Sequence, residues 1–318
     1  MRRAIAILLS LAAGPVAGDV SFEWPVDCTL GDDCYIQHAK DNDPTQGVSN
    51  AYCTTLAYDG HKGTDIAIDA QGAADAGVSV FAAADGVVAG VRDGMDDIYR
   101  GAQGAPDIAG RECGNGVVIQ HDDGLETQYC HLAKGSVAVS GGQVVAAGDR
   151  LGFIGRSGNT QFPHLHFEVR QRGETVDPFD VTDPQSCDDP LDPLWADDVA
   201  LPPTGIIAIG VADNVPTYDA VKNGSATTGI STSSPALVGW SYIFHGQSGD
   251  IIRAVLTGPF GTVIDQNVTL EKDQHLLFRA MGRRKPAEGW PTGPHTLTTT
   301  LHRNGATMDV ATHDFIID

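Results

Sequence analysis

The sequence is poor in positive charge. Its 318 residues carry 20 Lys and Arg against 41 Asp and Glu, a formal net charge of −21. Binding phosphate needs clustered Lys and Arg, so the composition speaks against a nucleic-acid partner, and against electrostatic steering toward an anionic surface. The deficit is uneven. Residues 19–200 hold 31 acidic and 10 basic residues, a net of −21, whereas residues 201–318 hold 10 and 8, a net of −2. Solubility in a salty exterior accounts for that surplus without a partner. Long apolar runs are scarce too. Ala4 to Ala13 is one, and it falls short of the about 20 residues a membrane-spanning helix needs. No C-x-x-C pair is present, which argues against a zinc–thiolate site.

What is present at the N-terminus has the form of a targeting segment. Arg2-Arg3 precede the apolar run, small residues follow, and cleavage is expected after Ala17 or Gly18. Residues 1–18 therefore read as a signal peptide. No cysteine lies at the cleavage point, which disfavours a lipid anchor. The mature protein is expected to be exported, periplasmic or secreted, without membrane insertion. Six cysteines, Cys28, Cys34, Cys53, Cys113, Cys130 and Cys187, form an even set, as befits disulfides in an exported chain. Sequence alone does not choose the pairing. Cys113–Cys130 is preferred, because the hairpin signal Asp122-Asp123-Gly124 brings those two toward neighbouring positions on paired strands.

With 38 glycines, the chain favours tight turns and short strands over long helices. Residues 19–57 read as a disulfide-bearing N-terminal extension. Its Asp41-Asn42-Asp43 and Gly47 lack the spacing of an EF-hand calcium loop. Residues 58–182 are dense in short strand signals: Asp65 to Asp69, Val78 to Ala82, Gly86 to Val91, Val117 to Gln120, Glu126 to Tyr129, Gln143 to Val145 and Leu165 to Arg170. Residues 93–112, rich in Asp and Gly, read as a long surface loop. Residues 183–205 are a Pro- and Asp-rich linker. Residues 206–318 repeat strand signals at the spacing of a small β-sandwich: Ile206 to Val211, Ala236 to Phe244, Ile251 to Leu256, Thr296 to His302 and Met308 to Ile317. The expected class is all-β: an antiparallel, β-rich domain followed by a β-sandwich-like accessory domain.

Two short motifs carry chemistry. His61-Lys62-Gly63-Thr64-Asp65 is an H-x-x-x-D element entering a strand, with Gly63 expected to supply the turn that lets His61 and Asp65 face one point. Pro163-His164-Leu165-His166-Phe167-Glu168-Val169 is an H-x-H strand whose two imidazoles share a face. His61, Asp65 and one histidine of the pair would make three protein ligands and leave a fourth position for water, the form of a catalytic zinc site. Either motif alone also fits surface residues without a role.

The chain resembles the M23 family of zinc metallopeptidases, the lysostaphin-type (LytM-like) peptidoglycan endopeptidases, over about residues 58–180. Besides those two motifs, the similarity runs through Gly77 to Val88, Gly116 to His121 and Tyr129-Cys130-His131-Leu132. The resemblance implies a compact antiparallel β-domain with a groove over one Zn2+ held by His61, Asp65 and His166. It implies His131 and His164 as the two non-ligand active-site histidines, with His164 preferred as general base and both near their ordinary pKa. The implied activity is hydrolysis of peptide cross-links of bacterial peptidoglycan, with stem or cross-bridge peptides as substrate. Alternatives are a non-enzymatic wall-binding or regulatory module, and a secreted zinc protease acting on glycine-rich proteins or a rival's wall. All five active-site positions are filled, which counts against the first alternative. The sequence departs from the family at Cys130, where a small residue is usual, and at Ser157 to Phe162, a loop expected to border the groove.

Other candidates read as structural. Glu168 is expected either to orient a ligand or to form a salt bridge, Asp69 to support by hydrogen bonding, and His121 to be structural. The C-terminal histidines His245, His275, His295, His302 and His313 show no ligand spacing and are expected at the surface. Trp240 and Trp290 are expected in a core.

Overall fold

A computed structural model describes residues 20–182, 187 and 189–318. The expected signal peptide and part of the linker, Pro184 included, lie outside the described residues. The first half contains strands β1 (Cys34–His38), β2 (Thr64–Ile68), β3 (Ser79–Phe81), β4 (Gly86–Arg92), β5 (Asn115–Gln120), β6 (Leu125–Leu132), β7 (Val144–Val145), β8 (Arg150–Phe153), β9 (His164–Gln171) and β10 (Glu174–Val176), with one short helix, α1 (Gln71–Ala76). The second half contains β11 (Gly205–Ala212), helix α2 (Tyr218–Lys222), β12 (Ala236–Gly246), β13 (Ile251–Gly258), β14 (Gly261–Thr269), β15 (Gln274–Arg284), β16 (Gly293–Arg303) and β17 (Ala306–Ile317). The protein is nearly all-β, and its strand ladders are antiparallel.

The first half is built on an eight-stranded sheet in the order β1-β2-β9-β6-β5-β4-β7, with β10 paired to β9 and with β3 and β8 forming a separate ribbon. Alternation along β9 explains its two faces. Leu165, Phe167 and Val169 are fully buried in the core with Ile66, Ile119, Tyr129 and Leu151. His164, His166 and Glu168 lie on the opposite face. In the second half a three-stranded sheet, β11-β12-β15, and a four-stranded sheet, β14-β13-β16-β17, share one core that includes Leu237, Ile243, Ile252, Leu256, Leu297 and Trp290. Trp240 is buried in a smaller cluster with Tyr242 and Val221.

The N-terminal extension is not a separate layer. Its strand β1 pairs with β2 in the register Ile36↔Ile66 and His38↔Asp65, so it widens the sheet that carries the chemistry. The following Asp41 loop is structural: Asp41 Oδ1 accepts from the amides of Asp43 and Ser49, and Oδ2 from that of Gly60. The linker also packs down, burying Trp195 and Leu201 in the first core. The pair Cys113–Cys130 is bonded as preferred from sequence, and the other bridges are Cys28–Cys34 and Cys53–Cys187.

Candidate functional site

The H-x-H strand and the H-x-x-x-D strand are neighbours. In the β2–β9 ladder Asp65 stands opposite His166, and Ala67 opposite His164. Residues directly opposite on an antiparallel pair point to one face, so Asp65, His164 and His166 project together away from the core. His61 arrives from the preceding loop. Gly63 serves this arrangement through space: a Cβ there would lie 2.6 Å from the Phe167 carbonyl oxygen and 2.9 Å from the His166 ring. Its φ is not left-handed, so the expected turn role gives way to one of close approach.

His131 reaches the same point by a different device. Cys130 stands opposite His166, so plain alternation would send the next side chain, His131, into the core. Its φ of 65° breaks the alternation. The backbone is held there by His131 N donating to Cys113 O at 2.8 Å and by Gly155 N donating to His131 O at 2.9 Å. The His131 ring then lies 4.7 Å from that of His164 and 6.0 Å from that of His166. All five residues singled out from the sequence therefore meet.

Three donor atoms form a triangle: His61 Nε2 to Asp65 Oδ1 is 3.2 Å, His61 Nε2 to His166 Nδ1 is 3.2 Å, and His166 Nδ1 to Asp65 Oδ1 is 2.8 Å. Ligands at 2.0–2.1 Å around a tetrahedral Zn2+ lie about 3.3 Å apart. The spacing and the N, N, O donor set thus fit that ion. The other ring nitrogens are engaged, as ligand imidazoles usually are. His61 Nδ1 donates to the Ala39 carbonyl at 2.6 Å, which leaves Nε2 free to ligate. Glu168 lies beside the His166 ring, with Oε2 3.7 Å from its Nε2, and forms the salt bridge expected of it, with Arg170 at 2.8 Å.

The two remaining histidines have fixed tautomers. His164 Nδ1 donates to the Phe162 carbonyl at 2.9 Å, and its Nε2 lies 3.4 Å from Asp65 Oδ1. His131 Nδ1 donates to the Ser157 carbonyl at 2.8 Å. Burial, with His164 and His166 close by, holds the His131 imidazole well below its usual range, contrary to the expectation of an ordinary pKa. Burial alone would raise the Asp65 carboxyl, but the surrounding imidazoles of His61, His164 and His166 overcome it and hold the group well below the usual carboxylate range. Burial would lower His166, yet its bonds to Asp65 and Glu168 push it up to about 9.

A groove opens over these groups. One cleft of about 420 Å³ is lined by Tyr58, Lys62, Arg92, Arg111, Gln128 and Asn159 together with His131 and His166. A second, of about 250 Å³, is lined by Arg100, Thr160, Gln161 and Phe162 together with His38 and His164. The loop from Ser157 to Phe162 borders the groove, as anticipated.

Some readings change. Asp69 lies past the end of β2 beside Asp33, in a cavity remote from the five residues. His121 is structural, with Nδ1 donating to Asp85 O at 2.7 Å. Of the C-terminal histidines, His245 and His295 are buried, because their strands face the first domain or the sandwich core, whereas His275 is exposed as expected while its ring meets His38. The sequence reading missed His38, whose Nδ1 lies 3.1 Å from Asp65 Oδ2, and Tyr58, whose ring lies 4.5 Å from that of His61. A single His on a five-residue strand offers no spacing signal.

Residues 59–178 match the model of peptidase family M23. The DD-carboxypeptidase/endopeptidase Mpg of Neisseria meningitidis serogroup B is 37% identical over 112 residues, 35% of this chain and 22% of that protein. The peptidoglycan DD-endopeptidase ShyA of Vibrio cholerae is 33% identical over 126 residues, 40% of this chain and 24% of that protein. The matches thus span less than a quarter of these relatives. Among solved structures, a zinc-containing peptidase from Vibrio cholerae is 27% identical with a TM-score of 0.31, covering 49% of this chain and 39% of that one. Residues 59–178, which hold His61, Asp65, His131, His164 and His166, are thus similar to peptidase family M23.

Proposed function

We propose that the protein is an exported, zinc-dependent metalloendopeptidase that hydrolyses peptide cross-links of bacterial peptidoglycan. The observation that carries this reading is the triangle of His61, Asp65 and His166 with His131 and His164 beside it. The relative named as a peptidoglycan DD-endopeptidase supports the substrate class, and the one named as a DD-carboxypeptidase/endopeptidase supports the reaction type. Export is supported by the N-terminal pattern and by the three disulfides, which persist in oxidising compartments. Among the described residues, no helix is long and apolar enough to cross a membrane.

In this reading His61 Nε2, Asp65 Oδ1 and His166 Nδ1 hold the ion. Bound zinc supplies a Lewis acid and a water ionised near neutral pH. His164 is the general base: the Phe162 carbonyl keeps the proton on Nδ1, so the Nε2 lone pair faces the donor triangle and takes the proton of the attacking water. His131 is a neutral acceptor by the same logic, with Nδ1–H held by Ser157. Burial makes protonated His131 a short-lived, strong acid, which suits brief proton transfer better than standing donation to a developing oxyanion. Its part is to receive a proton in transit and return it to the leaving amine. Glu168 and the Ala39 carbonyl orient the ligand rings, and the groove holds the peptide on either side.

The test is a mass-spectrometric digest of purified peptidoglycan by the mature protein. Cross-linked muropeptides should be cut with zinc present, spared after chelation, and cut again when zinc is restored. His166→Ala should lose both bound zinc and cutting. Intact cross-links in the presence of stoichiometrically loaded protein would overturn the substrate assignment, and cleavage of glycine-rich peptides instead would redirect it.

A further inference from the structure

The distal oxygen of Asp65 does not face the triangle. It meets His38 Nδ1 at 3.1 Å, and His38 Nε2 in turn meets Nδ1 of His275, on the accessory domain, at 3.3 Å. From these contacts we infer that His38 and His275 are positioning residues for the metal centre, so that the accessory domain completes the support of the ligand Asp65. The inference rests on the zinc reading above.

The geometry allows the hydrogen bonds to run consistently in one direction. His38 donates from Nδ1 to the carboxylate, which leaves its Nε2 as an acceptor, and His275 donates to it from Nδ1. With Oδ2 held by a donor, Asp65 presents Oδ1 alone to the ion, and the carboxylate plane cannot swing. Partners of this kind tune metal affinity by 10–100-fold.

His275 is itself held. Its carbonyl accepts from Gln37 Nε2 at 3.1 Å, one residue before His38. Around this contact the two halves interlock: Tyr35 stacks on Phe244 with ring centroids 5.0 Å apart, and Thr55 Oγ1 meets His245 Nε2 at 3.2 Å. Phe244 of the accessory domain belongs to the core of the first domain. The relay therefore spans a packed seam, so its geometry is fixed by side chains of both halves.

The experiment measures zinc affinity of the full chain by competition with a chromophoric chelator. His38→Ala should bind zinc about 10–100-fold more weakly. His38→Asn, whose amide can donate to Oδ2, should recover part of that loss. His275→Ala should weaken binding by less, and the double variant His38→Ala/His275→Ala should be no weaker than His38→Ala, since His275 acts through His38. Melting of the metal-free proteins separates loss of support from loss of fold, with His38→Asn as the conservative control. Unchanged affinity in His38→Ala, or additive losses in the double variant, would overturn the relay. A wild-type chain that binds no zinc would sink the metal reading itself.

Discussion

At His131 the chain adopts a backbone that L-residues avoid, at a cost of about 1–2 kcal/mol, and gains an imaging of two imidazoles onto one point. The φ of 65° directs the ring to His164 instead of the core. If both rings handle protons and neither ligates, His131→Ala and His164→Ala should each lower kcat by about 10²–10⁴ while retaining one zinc per chain by elemental analysis. Loss of zinc in either variant would make that ring a ligand. The contrast with sequence is instructive at this scale. His61 with Asp65, and His164 with His166, were legible as motifs because each pair keeps a short spacing within one segment, while the choice of His166 as ligand comes from the resemblance to M23 peptidases. The direction of His131 was not legible, since alternation predicts the opposite face. Gly63 was legible as necessary but for the wrong reason, because the His166 ring that crowds it comes from another strand. His38 was invisible because its partners lie 27 and 237 residues away.

Elements set these residues in place. The segment leading into β5 is tied to β6 by Cys113–Cys130, and the amide of His131 is bonded to the carbonyl of Cys113. The bridge thus sits at the segment that keeps His131 left-handed. Replacing both cysteines, Cys113→Ser with Cys130→Ser, should destabilise the protein by about 3 kcal/mol for a loop of this length, read by denaturant unfolding. It should also lower kcat more than zinc affinity, because the ligand triangle lies on β2, β9 and the loop before β2. An unchanged kcat would detach the bridge from His131. The pairing was legible from the Asp122-Asp123-Gly124 turn, which joins β5 to β6. Strands β14 and β15 were not read, and the reason is their burial pattern. Gly261–Thr269 is mostly exposed, and Gln274–Arg284 mixes apolar and basic residues without clean alternation. Strand β1 was missed because it is buried along its whole length, which erases the two-residue period.

For the whole molecule, the seam between the two halves couples fold stability to acid. His245 is buried there, with a left-handed φ of 50°, beside His275, Arg303, His38 and Thr55, and with Asp273 as the nearby acid. Burial, with His275, Arg303 and His38 adding positive charge, lowers its pKa to about 4. The unfolded chain, near 6.5, binds a proton before the folded one does. Between pH 6.5 and about 4 the unfolded state therefore holds more protons, and stability falls as pH falls. A shift of this size amounts to at most about 3 kcal/mol at 1.36 kcal/mol per unit. The seam carries this sensitivity because its own charges offer little relief: Arg303 is already paired with Asp250 at 2.8 Å and donates to the His245 carbonyl at 2.9 Å. His245→Asn, which tolerates a left-handed backbone and does not titrate, should flatten the acid limb of a denaturant-derived stability profile between pH 6.5 and 4. An acid limb as steep as that of the wild type would place the sensitivity elsewhere, in the other buried histidines that burial lowers, His131, His38 and His121.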